Sequence, residues 1–239
     1  MLFLILAVTA VASATPLQAR QGGPISPSTS TSKAFSLYVS ITDPVKLQQD
    51  RFVQLNGLPV SKIRLGPGAN ALSISPNPEA KDLPANVWWQ NDTTAGIEPP
   101  PAGDKYTILS DSGLQYYDAI DISQPVDAPN LYNVYLERPG KDITPGFAVG
   151  DGAMIKIPTV AKTGTTQLVV CDHDFGAYAH PQWLFHIFHK ETDEGFFNNY
   201  VFESCVAVDL FAHCEKMMAL PGDAMYTHDH AMEVACYSD

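Results

Sequence analysis

Basic residues are scarce in this 239-residue chain: fourteen Lys and Arg stand against twenty-six Asp and Glu, a formal charge of −12. A surface so poor in cations argues against nucleic acid or an anionic membrane as partner, because both are bound through basic patches. The shortage is steepest in residues 171–239, where twelve acids face only Lys190 and Lys216, a net of −10. Cysteine is absent before position 171. After the first fourteen residues no apolar run approaches the roughly 20 residues of a spanning helix. GxSxG elbow, phosphate loop, dinucleotide fingerprint, HExxH and CxxC are all missing, which removes the strongest signatures of hydrolase, nucleotide and zinc chemistry.

What is present begins with an export signal. "MLFLILAVTAVASA" is apolar apart from Thr9 and Ser13 and ends Ala12-Ser13-Ala14, the small-x-small pattern of signal-peptide cleavage. Residues 1–14 are therefore expected to be removed and the protein secreted. "TPLQAR" reads as a candidate pro-segment ending at Arg20, with Gln21 as the mature start. Residues 21–32, "QGGPISPSTSTS", lack apolar periodicity and are expected to form a disordered leader. In an exported chain the four cysteines, Cys171, Cys205, Cys214 and Cys236, read as two disulfides, with three pairings open on spacing alone. The sequon Asn91-Asp92-Thr93 lies in a Pro-rich polar region and is expected to carry a glycan at Asn91.

From Ala34 onward the chain is a series of short alternating runs. "AFSLYVSI" places Phe35, Leu37, Val39 and Ile41 on one face, and similar runs follow, among them "VWWQ", "LQYYDAIDI", "TQLVVCD", "QWLFHIF" and "CVAVDL". Nineteen prolines and sixteen glycines punctuate them and leave little room for helix. Only "PVKLQQDRFV" and "HCEKMMAL" suit a turn or two. The reading is all-β: a single sandwich or barrel of about ten short strands over residues 33–213. Residues 214–239 then form a C-terminal extension.

The combination "LVVCD…HPQWLF…ESCVAVDL" resembles an uncharacterised family of secreted fungal proteins, a domain of unknown function. The matching positions are Cys171, Asp172, Pro181, Gln182, Leu184, Phe185, Cys205, Val208 and Leu210. The resemblance implies a secreted fungal β-rich fold and supplies no activity. It also implies a Cys171–Cys205 bridge, which leaves Cys214–Cys236 as a clip on the tail. A loop of about 35 residues closed in this way contributes roughly 3–4 kcal/mol on the chain-entropy model. His173, His180, His186 and His189, and the tail beyond Cys214, lie outside the family pattern.

All seven histidines fall between positions 173 and 230. A zinc or copper site needs three or four converging ligands. Here His228, Asp229 and His230 are the candidate set, since alternate residues of an extended segment share a side. His186, flanked by Leu184 and Phe188 on one strand face, reads instead as a hydrogen-bonded core residue. With ordinary pKa values near 6.5, all seven would titrate together as the medium acidifies. Paired carboxylates for glycoside hydrolysis are available as Asp118 with Asp121, or Asp172 with Asp174. Trp88, Trp89, Tyr116, Tyr117, Trp183, Phe196 and Phe197 offer stacking surface for a sugar.

Weighed together, these features describe a secreted, acidic, disulfide-bonded glycoprotein of unknown function. The preferred role is a non-catalytic binding or interaction module at the cell exterior, with carbohydrate or a host or cell-surface protein as partner. No catalytic residue and no cofactor are assigned. The alternative is a secreted zinc- or copper-dependent enzyme using the C-terminal histidines.

Overall fold

A computed structural model describes residues 30–66, 69–74, 86–91, 107–111, 116–123, 130–137, 146–160, 164–173, 182–190 and 203–238. Expectations placed on residues 1–29, on Asp174 and His180, and on Phe196 and Phe197 lie outside these. Strand is the dominant element, with one short helix among the described residues. β1 (Ser30–Ser32) precedes β2 (Ala34–Ile41); after a 3-10 turn and the one-turn helix α1 (Asp50–Val53) come β3 (Ser61–Gly66) and β4 (Ala69–Ile74). β5 (Trp88–Asn91), β6 (Thr107–Asp111), β7 (Tyr117–Ile122) and β8 (Leu131–Glu137) form the middle of the chain. Two short strands, β9 (Ala148–Val149) and β10 (Ile155–Lys156), pair only with each other. The last long strands are β11 (Thr165–His173), β12 (Gln182–Lys190) and β13 (Cys205–Glu215), followed by the short β14 (Val234–Cys236).

The strands follow one another in the order β11-β13-β2-β5-β6-β7-β8-β12, with β12 returning to β11 to close an antiparallel barrel; β4, the ninth strand, pairs with both β8 and β12, and β3 is added outside β4. Closure removes the free edges that an open sheet exposes. The period-2 pattern decides which side chains line the interior. Phe35, Leu37, Val39 and Ile41 of β2 point inward at 0, 0, 3 and 7 % exposure. They meet Trp88, Ile108, Ile120, Trp183, Phe185, Val206 and Val208 in one apolar cluster. α1 plugs this core through Phe52, whose ring meets Trp183 edge-on at 5.5 Å.

Two segments differ from expectation. "HCEKMMAL" forms no helix: His213, Cys214 and Glu215 continue β13, held extended by their register with Ser36, Phe35 and Ala34. The leader is structured at its end, where Ser30–Ser32 pairs with Val234–Cys236. Cys236, tied to β13, presents a strand edge on which those three residues complete a ladder.

Candidate functional site

Beyond β13 the chain crosses the outer face of β5, β6 and β7. Cys214 and Cys236 are bonded, so the crossing segment is tied at both ends. Along its return, the Met232 amide donates to the Gln90 carbonyl at 2.8 Å, and Ala231 bridges to Asn91. Trp89, Leu109, Tyr117 and Ala119, the outward residues of the three barrel strands, are buried against Ala231, with Met217 and Tyr226 packed on them. Trp88 and Trp89, on opposite faces of β5, are thus both buried, at 0 and 1 %. Adjacent Tyr116 stays 41 % exposed.

One carboxylate organises this seam. Asp111, the last residue of β6, receives three donors on Oδ1: His228 Nε2 at 2.9 Å, Tyr226 Oη at 3.0 Å and Trp89 Nε1 at 3.3 Å. Its Oδ2 is buried without a hydrogen-bond partner among the described residues. The aromatic rings follow from those bonds: Trp89 and Tyr226 lie parallel with centroids 6.4 Å apart, and His228 stands edge-on to Trp89 at 5.1 Å. Next to it, Lys62 of β3 donates Nζ to Asp118 Oδ2 at 3.2 Å and to the Asp111 carbonyl at 2.8 Å. Burial lowers the Lys62 pKa against the opposing pull of Asp118. Burial, reinforced by the Asp111 bond, raises that of Tyr226. The three donors converging on Asp111 Oδ1 and the Lys62 bonds beside it suit a latch holding the tail to the barrel.

The other candidate residues are dispersed. His228 turns into the seam, while Asp229 and His230 face solvent. Among the described residues no three His, Cys, Asp or Glu gather as a metal site. Asp118 and Asp121 do not work as a pair: Asp118 holds Lys62, whereas Asp121 Oδ2 accepts Tyr135 Oη at 3.1 Å. Burial, with Asp121 adding to it, pushes the Tyr135 pKa up to about 12. The Asp172 Oδ1 is buried with no hydrogen-bond partner among the described residues.

The histidines behave individually. His186 is a buried core residue, 3 % exposed, with its Nε2 2.9 Å from His173 Nε2. Burial, and then His173, pushes its pKa down to about 3, so it does not join a common titration near 6.5. His189 is 2 % exposed with neither ring nitrogen bonded among the described residues. His213 packs against Tyr38 with ring centroids 4.3 Å apart and planes inclined by 45°.

Asn91 is also placed differently from expectation. It ends β5 and is 1 % exposed beneath the tail, not in an open polar loop. Both bridges form, Cys171–Cys205 between residues directly opposed on β11 and β13, and Cys214–Cys236. Asp111, Lys62 and Tyr226 carried no signal in the sequence, because the partners of Asp111 lie up to 117 positions away.

The family described as a domain of unknown function (DUF7907) matches residues 32–214. The matched span ends at Cys214, the first cysteine of the tail bridge. Among curated proteins, the antigenic protein SchS34 of Stachybotrys chartarum is 25 % identical over 235 residues, covering 94 % of each chain. No solved structure matches the chain.

Proposed function

The chain belongs to the DUF7907 family, and from that footing we propose that it is a non-catalytic binding module acting outside the cell. The observation that carries this reading is the tail. Residues 216–233 run between two tied ends, are pinned through Asp111, and still hold Met218 and Met225 out at 53 and 68 % exposure. Large apolar side chains kept in water on a rigid loop serve recognition better than stability. Met225 sits one residue before Tyr226, so the residue that anchors the loop also aims its display.

Supporting features agree with an exported setting. Two disulfides suit an oxidising compartment. Among the described residues no helix is long and apolar enough to cross a membrane. The Stachybotrys relative's description as an antigenic protein fits a protein met outside the cell. Of the carboxylates weighed for a hydrolytic pair, Asp118 and Asp121 are engaged separately by Lys62 and Tyr135.

The test is binding of the purified, untagged, exported protein to cell-wall polysaccharides and to intact cell surfaces, alongside the M218S/M225S variant. The reading expects saturable binding that the double variant loses while its melt is unchanged. Equal binding by both proteins refutes the role of the tail. Near-stoichiometric zinc or copper, with a melt lowered by chelator, would favour the metal-dependent alternative.

A further inference from the structure

Lys216 is the last basic residue of the chain and the one base between Cys214 and Cys236. It is exposed, and the backbone on its two sides is fixed by different means. Before it, Cys214 and Glu215 end β13 in register with Phe35 and Ala34 of β2, and Cys214 is bonded to Cys236. Two hydroxyls add to this hold: Ser32 Oγ donates to the Glu215 carbonyl at 2.8 Å and Ser36 Oγ to its carboxylate at 2.9 Å. After Lys216, Met217 packs on the Trp89 cluster, while Met218 turns out to water. From the end of β13 to residue 221 the chain makes no helix, turn or bend. The Lys216–Met217 peptide bond therefore lies in an unbent stretch, with a cation held out on one side and a seated thioether on the other.

We propose that residues 214–218 form a reactive-site loop that inhibits serine endopeptidases specific for basic residues, with Lys216–Met217 as the bond it offers. Enzymes of this class place a basic side chain in a pocket closed by a carboxylate. Extended segments suit recognition by backbone hydrogen bonds, with side chains sent into pockets. A segment already fixed on both flanks has little order left to lose on docking, which adds affinity. This activity goes beyond surface binding through Met218 and Met225 and does not need it.

The fate of the newly freed amine separates an inhibitor from a substrate. The enzyme's serine oxygen adds to the Lys216 carbonyl carbon, the C–N bond to Met217 breaks, and the nitrogen takes up the proton that the serine gave to its histidine. In a loose chain the amine departs, and water releases the acyl group as the Lys216 carboxylate. Here Met217 stays against Trp89. The segment it heads is tied to Cys214 through Cys236, and to Asp111 through Tyr226 and His228. The amine is thus kept beside the acyl carbon and re-forms the bond ahead of hydrolysis. A cut loop would still be one molecule, its two pieces joined by the bridge.

The experiment titrates trypsin with the full chain, disulfides intact, and follows both hydrolysis of a small chromogenic substrate and the Lys216–Met217 bond by mass spectrometry. Stoichiometric, reversible inhibition with the loop largely uncut is expected. Lys216→Ala should weaken it roughly a hundredfold, and Lys216→Arg should retain it. The C214S/C236S variant should be cut rapidly after Lys216 and inhibit no longer; if it fails to fold, the contrast of Lys216→Ala with Lys216→Arg decides alone. Three results would each overturn the proposal. Rapid cleavage of the wild type without inhibition makes the loop a substrate only. Neither cleavage nor inhibition leaves Lys216 a solvated side chain. Inhibition that survives Lys216→Ala places the activity elsewhere.

Discussion

Trp88 and Trp89 are neighbours in the chain, equally hidden, and sealed by different means. Trp88 faces the barrel interior and is covered by apolar residues from many strands. Trp89 faces outward and is covered by one short tail, whose grip depends on a disulfide and on three donors to a single carboxylate oxygen. The interior follows from alternation repeated around a closed sheet, so any one residue is supported by its neighbours. The seam depends on a few polar and covalent links, so it can be released alone. Of the three tryptophans, only Trp89 sits at the seam; Trp88 and Trp183 are in the interior. Tryptophan emission can therefore separate the two regions.

The contrast is broken most forcefully from the inside. Trp183→Ala, at 3 % exposure in the central cluster, should cost about 3–5 kcal/mol in denaturant unfolding. If the melt hardly changed, the interior would not be the packed core described. Next in size is the C214S/C236S variant. Its bridge spans 22 positions, and losing it should cost about 3 kcal/mol. Trp89 emission should shift to the red while the barrel's far-UV signal persists. Simultaneous loss of both signals would show that tail and barrel unfold as one unit.

Acid should loosen the β11–β12 face without opening the seam. His186 in the folded protein stays neutral to about pH 3, whereas the unfolded chain protonates it near 6.5. Between those values the unfolded state binds more protons. The stability contributed by His186 is full above about pH 6.5 and is lost as pH falls towards 3. Between pH 6 and 4.5 the loss should be about 2 kcal/mol, with His186→Leu flattening that part of the profile. Trp89 emission at room temperature should not follow it.

Asp111→Ala strips the hub from Trp89, Tyr226 and His228 and should cost about 1–2 kcal/mol. Combined with His228→Ala, the effect should be less than additive, because both changes break the same contact. Strict additivity would mean that the 2.9 Å bond contributes nothing to tail docking. Smallest of all is Met225→Ser, at a side chain 68 % exposed. Stability should move by less than about 0.5 kcal/mol, leaving any change in surface binding attributable to recognition.

Much of the barrel was legible because period-2 alternation is a local signal. Phe35, Leu37, Val39 and Ile41 declared an inward face before any partner strand was known. The outward faces were less legible. Nothing beside Trp89 or Asn91 in the sequence says that a segment some 140 residues later will lie on top of them, so Asn91 read as an open sequon and Trp89 as a stacking surface. "HCEKMMAL" misled for the same reason, since its composition tolerates a helix and only the register with β2 holds its start extended.

By itself, the sequence determined the all-β class, the inward residues of each strand, the acidic balance and the concentration of cysteine and histidine in the last third. These are properties of composition and of spacing between near neighbours. Tertiary structure alone decided that the sheet closes, that Asp111 rather than the Asp118–Asp121 pair anchors the tail, and that His173 and His186 meet while Asp229 and His230 stay in water. Those outcomes depend on strand order and register, which bring together groups that no local pattern connects.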